Sequence, residues 1–184
     1  MSLSGQNLSI VIVTLKSEKV IHDCIKSIDQ NIPIIIVENS NNYELKKNLE
    51  SQYKNLKCVI TEKNLGMGAA NNKGIKLVNT DYVYILNPDT TLEKNTLENL
   101  FLESKKIPDF SIISPIHSDS NFPNWKNTLE KNFDKSQPFQ VESVDGYSML
   151  LNKKNLKDLY FDENFFLYLE NDDFCLRARK AGGS

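Results

Sequence analysis

Four short segments rich in β-branched and aromatic residues, Leu8 to Thr14, Ile34 to Val37, Leu56 to Thr61 and Asp81 to Leu86, alternate with stretches whose apolar residues fall at helical spacing. No other feature limits the fold as strongly. The segments are too short for helices and carry apolar residues at consecutive positions, the pattern of strands buried on both faces. Between the first two, Val20, Ile21, Cys24, Ile25 and Ile28 outline a helix from Ser17 to Asp29 with Ser17 as its N-cap. Tyr43, Leu45, Leu49 and Tyr53 outline a second helix, and the glycine-bearing loop after Thr61 leads into a third that continues to about Val78. The order β-α-β-α-β-α-β predicts an α/β fold, with a mostly parallel central sheet flanked by helices. Ligands bind such sheets at the C-terminal strand edge, where Thr14, Glu38, Asn64 and Asp89 converge.

With 184 residues, 40% hydrophobic and 25% charged, the chain has the size of one globular domain. Its net charge of −2 supplies no basic field for nucleic acid, so a negatively charged ligand must be met locally, by a metal, helix N-termini or a few cations. Cys24, Cys58 and Cys175 lie far apart and fit no C-x-x-C or Cys/His metal spacing, so they read as reduced cysteines packed as small hydrophobes in a cytosolic protein. The longest apolar runs, near residues 8–15 and 32–37, are too short to cross a bilayer, and the N-terminus shows no signal-peptide pattern. A cytoplasmic location follows, with attachment to the inner face of the membrane left open. Ala181-Gly182-Gly183-Ser184 follows directly on a basic helical stretch, and a C-terminally truncated chain is expected.

Beyond Asp89 the pattern is less regular. Leu92 to Ser104 reads as a helix, Phe110 to Ile113 as a strand, residues 114–139 as a long polar connection, and Val141 to Leu151 as a strand pair or a strand bent at Gly146. An aromatic-rich stretch from Phe161 to Leu169 precedes a helix from Glu170 to Lys180, acidic at its start and basic at its end as the helix dipole favours.

Three motifs can carry chemistry. The run Tyr82 to Leu86 stops at Asn87-Pro88-Asp89, which delivers an acid at the end of a buried strand; the plain alternative is a turn with a helix cap. Mg2+ or Mn2+ takes oxygen ligands, commonly one or two carboxylates plus phosphate oxygens, so Asp89 suits a metal on a nucleoside diphosphate. Gly66-x-Gly68-x-x-Asn71 falls one glycine short of a dinucleotide fingerprint and follows the third strand, not the first, which argues against NAD. Glu170-Asn171-Asp172-Asp173 can cap a helix or supply a general base.

Five blocks stand in order: Ile10-Val11-Ile12-Val13-Thr14; Ile36-Val37-Glu38-Asn39-Ser40; Asn64-Leu65-Gly66-x-Gly68-Ala69-Ala70-Asn71-Asn72-x-Gly74; Leu86-Asn87-Pro88-Asp89; and Phe161-Asp162-Glu163-x-Phe165-Phe166-x-Tyr168-x-Glu170-x-x-Asp173-x-x-x-Arg177. Together they resemble the family 2 glycosyltransferases of the GT-A fold, the Rossmann-like nucleotide-diphospho-sugar transferases. Within these they are similar to the rhamnosyltransferase-like branch of bacterial cell-surface polysaccharide synthesis. The resemblance implies one domain over residues 1–184, with a nucleotide-sugar-binding half at about 8–100 and an acceptor-side half, incomplete, at about 101–184.

It also implies roles. Thr14 and Glu38, with Asn39 beside them, would hold the base and ribose; Asn64, Gly66 and Asn71 would shape the nucleotide pocket. Asn87 would face the ribose or a metal-bound water, and Asp89 would coordinate Mg2+ or Mn2+ on the diphosphate. The base would come from Glu170, then Asp173, then Asp172, because Asn171 stands where an acid is more usual. Asp145-Gly146 would line the acceptor side, narrowed by Tyr147. The expected reaction is inverting transfer of a sugar, rhamnose by branch resemblance, from a UDP- or dTDP-linked donor to a hydroxyl of a glycan or lipid-linked glycan. A catalytically impaired nucleotide-sugar-binding module and a nucleotidyltransferase are the rivals; for the latter, Thr14-Leu15-Lys16-Ser17 lacks the basic, glycine-rich triphosphate loop.

Overall fold

The computed structural model describes residues 7–119, 121–129 and 134–183. The stretch read above for a leader (1–6), parts of the polar connection (120 and 130–133) and Ser184 lie outside the described residues. All four expected strands form: β1 (Leu8–Thr14), β2 (Ile34–Glu38), β3 (Leu56–Ile60) and β4 (Tyr82–Leu86). They run parallel in the order β3-β2-β1-β4. Every residue of β1 is buried, because it is central and covered on both faces.

Alternation along β1 divides the core. Ile10 and Ile12 pack with Ile21 and Ile25 of α1 (Ile21–Lys26) and Leu45 and Leu49 of α2 (Tyr43–Gln52). Val11 and Val13 face the other way, toward Ala70 and Ile75 of α3 (Met67–Leu77) and Phe174 of α6 (Glu170–Lys180). A fully buried side chain of this size contributes about 1.5–3 kcal/mol, so packing on the sheet, more than helix propensity, fixes these helices. The backbone of α3 comes so close to β1 that a Cβ on Gly74 would stand 2.3 Å from Val11 Cγ1. Only glycine permits that approach.

The sheet continues past β4 with β8 (Ser148–Asn152) and β5 (Ile112–Ile113), β8 lying antiparallel to both of its neighbours. The stretch 141–151 is thus not a hairpin. β7 (Val141–Val144) pairs with β6 (Trp125–Thr128) in a separate two-stranded sheet, and the chain bends at residues 145–147 to enter β8. Two helices are shorter than their apolar spacing suggests. Ser17 does not cap α1 with its side chain, which bonds to Leu15; its carbonyl closes the turn by accepting from Val20 and Ile21. After β4, α4 (Thr96–Ser104) starts only beyond Asn95, whose φ of 66° breaks the helix, while Leu92 N–H donates to Ser27 Oγ at 3.0 Å. One further short helix, α5 (Lys153–Leu156), follows β8. Among the described residues no helix is long and apolar enough to cross a membrane, and the three cysteines are free and buried.

Candidate active site

Thr14 and Glu38 end β1 and β2 opposite each other, and the Asn39 N–H donates to Thr14 O at 2.7 Å. Glu38 is fully buried, and its carboxylate accepts from the N–H groups of Ser40 (3.0 Å) and Asn42 (2.7 Å) and from Ser40 Oγ. These donors fold loop 39–42 around the acid, and Asn42 Oδ1 then caps α2 by accepting from Leu45 N–H at 2.9 Å. Asn39 ties this edge to the next loop: its Nδ2 donates to Asn64 Oδ1 (2.9 Å) and Gly66 O (3.3 Å), and its Oδ1 accepts from Leu65 N–H (2.9 Å) and Thr61 Oγ1 (3.0 Å). Asn64 Oδ1 also takes the Gly66 N–H at 2.9 Å. Asn39, Asn64 and Gly66, named separately from the sequence, thus form one clamp.

The far side of that clamp meets the segment before α6. Gly66 adopts φ 82°, and a Cβ there would lie 2.3 Å from Phe166 O, so both conformation and space demand glycine. Met67 N–H donates to Phe166 O at 2.9 Å. Asn72 holds the same segment: its Oδ1 accepts from Phe161 N–H (3.0 Å), and its Nδ2 donates to Phe161 O (2.9 Å) and Glu163 Oε1 (3.0 Å). No local pattern separates the roles of the adjacent Asn71 and Asn72. Asn71 is buried too, yet its Oδ1 has no partner among the described residues.

Tyr168 and Leu169 enter α6 at φ 69° and 70°, conformations that cost β-carbon residues of order 1 kcal/mol or more each and persist where the surroundings impose them. The acids that follow have separate fates. Glu170 is buried with its Cβ 3.6 Å from where a Cβ on Gly68 would be, at the first turn of α3, and its Oε2 has no partner among the described residues. Asp172 pairs with Lys126 of β6 and accepts from Ser143 Oγ at 2.6 Å. Burial works to raise its carboxyl, but the bonds from Lys126 and Ser143 outweigh burial and hold it below the ordinary range. Asp173 accepts from Arg177 Nε at 2.7 Å; Arg177 Nη2 lies at the same distance, close enough to pair but without hydrogen-bond alignment. Asn171 Nδ2 donates to Val144 O at 2.8 Å, pinning the end of β7 to α6.

Across the sheet, Asn87 N–H donates to Tyr147 O at 2.8 Å, joining the end of β4 to the β7–β8 bend. Asn87 O accepts from Thr90 N–H at 3.2 Å, and Cys24 Sγ points to the same oxygen at 3.5 Å. Burial and the nearby Asp89 carboxylate push the Cys24 thiol up to about 12, so it stays a neutral thiol. Asp89 itself is exposed and enters no salt bridge among the described residues. No group of three or more His, Cys, Asp or Glu side chains converges there on a cation position. A single open carboxylate fits a hard cation that takes its other ligands from diphosphate oxygens and water.

The model of glycosyl transferase family 2 matches residues 9–174. The chain belongs to that family. It is 28% identical over 193 residues to the low-salt glycan biosynthesis hexosyltransferase Agl10 of Haloferax volcanii, covering 95% of this chain and 62% of the relative. An uncharacterized glycosyltransferase of Methanocaldococcus jannaschii, MJ1057, is 26% identical over 190 residues, covering 93% and 64%. This family 2 chain therefore spans under two thirds of the length of these relatives. Among solved structures, S. aureus TarS 1-349 in complex with UDP-GlcNAc superposes with a TM-score of 0.74 at 19% identity, over 95% of this chain and 54% of that one. GalNAc-T7 with UDP, GalNAc and Mn2+ gives 0.76 at 16% identity, over 97% and 41%. The shared fold is GT-A.

In this family 2 domain the sheet order sets Glu38 and Asn64 on the β2 side of the C-terminal edge and Asp89 on the β4 side, with Thr14 between them. A cavity of about 1010 Å3 lies elsewhere, between α4, β5 and the C-terminal part of α6, and is lined by none of the residues named from the sequence for the donor or the cation. Asn72 stands in one of the ordered blocks but has no role assigned there, and Lys126 is not among the residues named from the sequence. Their partners are about 90 and 46 residues away along the chain, and no local pattern marks such pairs.

Proposed function

We infer that this chain transfers a hexose, rhamnose in the branch it resembles, from a UDP- or dTDP-linked donor to a hydroxyl of a glycan or lipid-linked glycan, with inversion, at the cytoplasmic face of a membrane during surface polysaccharide synthesis. One observation carries the reading: within a family 2 domain, Asp89 stands open at the C-terminal edge of the parallel sheet, while Glu38 and Glu170 are buried and Asp172 and Asp173 are bonded. Thr14, Glu38, Asn39, Asn64, Gly66 and Asn71 form the donor side. The clamp centred on Asn39 fixes the two loops against which base and ribose rest, and the unpartnered Thr14 Oγ1 and Asn71 Oδ1 are polar atoms a nucleotide can satisfy.

Asp89, with Asn87 before it, would hold Mg2+ or Mn2+, which when bound would offset charge on the departing diphosphate. On the acceptor side a carboxylate in the wall formed by the start of α6 and the bend facing it takes the proton of the attacking hydroxyl. A second reading, a binding module without transfer, is favoured by Asn171, an amide bonded to Val144 O at the start of the acidic helix. Calorimetry with UDP and dTDP, with and without Mn2+, on wild type and Asp89→Asn tests the donor site. Metal-dependent binding that Asp89→Asn weakens at least tenfold is expected, and equal binding by both proteins would refute the cation role. Release of UDP or dTDP from the matching sugar nucleotides then separates transfer from binding alone.

A further inference from the structure

The acids at the start of α6 leave a gap in the acceptor-side chemistry. Asp172 is held by Lys126 and Ser143, and Asp173 by Arg177. Glu170 is closed in beneath the first turn of α3. A general base needs an oxygen that an acceptor hydroxyl can reach and that no fixed cation already occupies.

Asp145 meets both conditions. It sits in the bend between β7 and β8, half-buried, with its carboxylate in none of the salt bridges of the described residues. Its position is fixed from three sides. Its own N–H donates to Asn124 O at 2.9 Å. The preceding Val144 O is held by Asn171 Nδ2, and the following Gly146 packs against the Asn171 side chain, where an added Cβ would lie 3.4 Å from Asn171 Cβ. Two residues on, Tyr147 O binds Asn87 N–H, which joins the bend to the strand end that carries Asp89. The His117 ring meets Tyr147 edge-on at 6.2 Å and buttresses that wall.

We propose that Asp145 is the general base of this domain, and that Asn171 is the positioning residue that aims it. The assignment rests on the sugar-transfer reading given above. The acceptor O–H proton passes to an Asp145 oxygen as the acceptor oxygen bonds to the anomeric carbon. The bond from that carbon to the diphosphate oxygen breaks, and its electron pair leaves on the diphosphate. The electrostatics fit this role. Burial raises the Asp145 carboxyl above its ordinary value, Lys126 on β6 opposes the rise, and Asp172 on α6 adds to it; the Tyr147 phenol is raised in turn by burial and by Asp145. An amide at 171 suits the same arrangement, since a carboxylate there would oppose the Val144 carbonyl and add a third negative charge beside Asp145 and Asp172.

The test compares the full chain with Asp145→Asn, Glu170→Gln and Asn171→Asp, using calorimetry with Mn2+ and whichever of UDP and dTDP the wild type binds, and release of that nucleotide from a panel of its hexose and deoxyhexose conjugates. Asp145→Asn should bind that nucleotide within twofold of wild type while its release falls on the order of 100-fold or more, the scale of general-base loss. Asn171→Asp should keep nucleotide affinity but lose turnover and displace the acidic limb of the pH–rate profile; an unchanged profile removes its positioning role. If Asp145→Asn turns over at the wild-type rate, or only Glu170→Gln abolishes turnover with nucleotide binding intact, Asp145 is not the base. Failure of wild type to bind either UDP or dTDP overturns the transfer reading and this assignment with it. Carboxyl 13C titration gives a readout independent of turnover. One aspartate signal, missing from Asp145→Asn, should titrate above the ordinary aspartate range and move when the same nucleotide and Mn2+ are added; a signal that titrates at or below that range overturns the assignment.

Discussion

Replacing Gly74 with alanine sets two effects of known sign against each other. In the interior of a helix alanine is favoured over glycine by about 0.8–1.0 kcal/mol, so propensity alone predicts a more stable protein. The packing predicts the reverse. The new Cβ would stand 2.3 Å from Val11 Cγ1, 3.1 Å from Val37 Cγ2 and 3.2 Å from Val11 Cγ2. Carbon atoms rest at about 3.5–4.0 Å, so the first contact must open by more than about 1 Å. Neither neighbour can yield easily, since Val11 and Val37 are fully buried on the central strands β1 and β2. Overpacking costs about 1–3 kcal/mol, and a clash with two β-branched side chains belongs at the upper end of that range. Set against the helix gain, it leaves a net loss of about 2 kcal/mol, or roughly 4–8 °C in midpoint for a chain of this length. Urea unfolding followed by circular dichroism measures it. Combining Gly74→Ala with Val11→Ala should recover at least about 1 kcal/mol relative to the sum of the single changes, because the added methyl enters the space vacated by the valine. A Gly74→Ala protein as stable as wild type, or an additive double variant, would refute the close-approach argument.

Other perturbations test the remaining joints. Asn39→Ala should destabilise by about 2–3 kcal/mol, because Leu65 N–H and Gly66 O lose a buried partner, and urea midpoints that differ from wild type by less than about 0.5 kcal/mol would contradict the clamp. In Asn72→Ala, hydrogen exchange at Phe161 should speed up by tenfold or more while exchange in β1 stays slow, since Asn72 accepts the Phe161 N–H directly. Lys126→Met bears on pH. The folded-state carboxyl of Asp172 lies below its ordinary value, so its contribution is present above the unfolded pKa and lost as pH falls through the folded one. Without Lys126, burial still raises that carboxyl, so acid destabilisation should begin at higher pH; superimposable stability profiles from pH 7 to 3 would exclude the coupling.

Local pattern was sufficient for the first half of the chain. Runs such as Leu8 to Thr14 have one low-energy use, a strand covered on both faces, and the β-α-β-α-β-α-β order leaves few topologies once crossovers are right-handed. Helix ends were less legible. The stop at Asn95 depends on its left-handed backbone and on Leu92 N–H being drawn to Ser27, a partner 65 residues away. The stretch 141–151 was legible as extended chain but not in its pairing, because nothing in it says that β7 belongs with β6 while β8 enters the main sheet antiparallel between β4 and β5.

By itself the sequence determined the parallel α/β core, the edge at which Thr14, Glu38, Asn64 and Asp89 gather, and the ordered blocks of a family 2 glycosyltransferase. Those are properties of periodicity and spacing, which act over a few residues. The tertiary structure alone decided which polar side chains are bound and which are free. Glu38 is spent on loop 39–42, Asn39 and Asn72 are clamps, Asp172 and Asp173 are paired, and Asp89 stands open. The reason is physical: a buried polar group must find a partner, and the partner that satisfies it is set by which strands and helices meet in space, not by its neighbours along the chain.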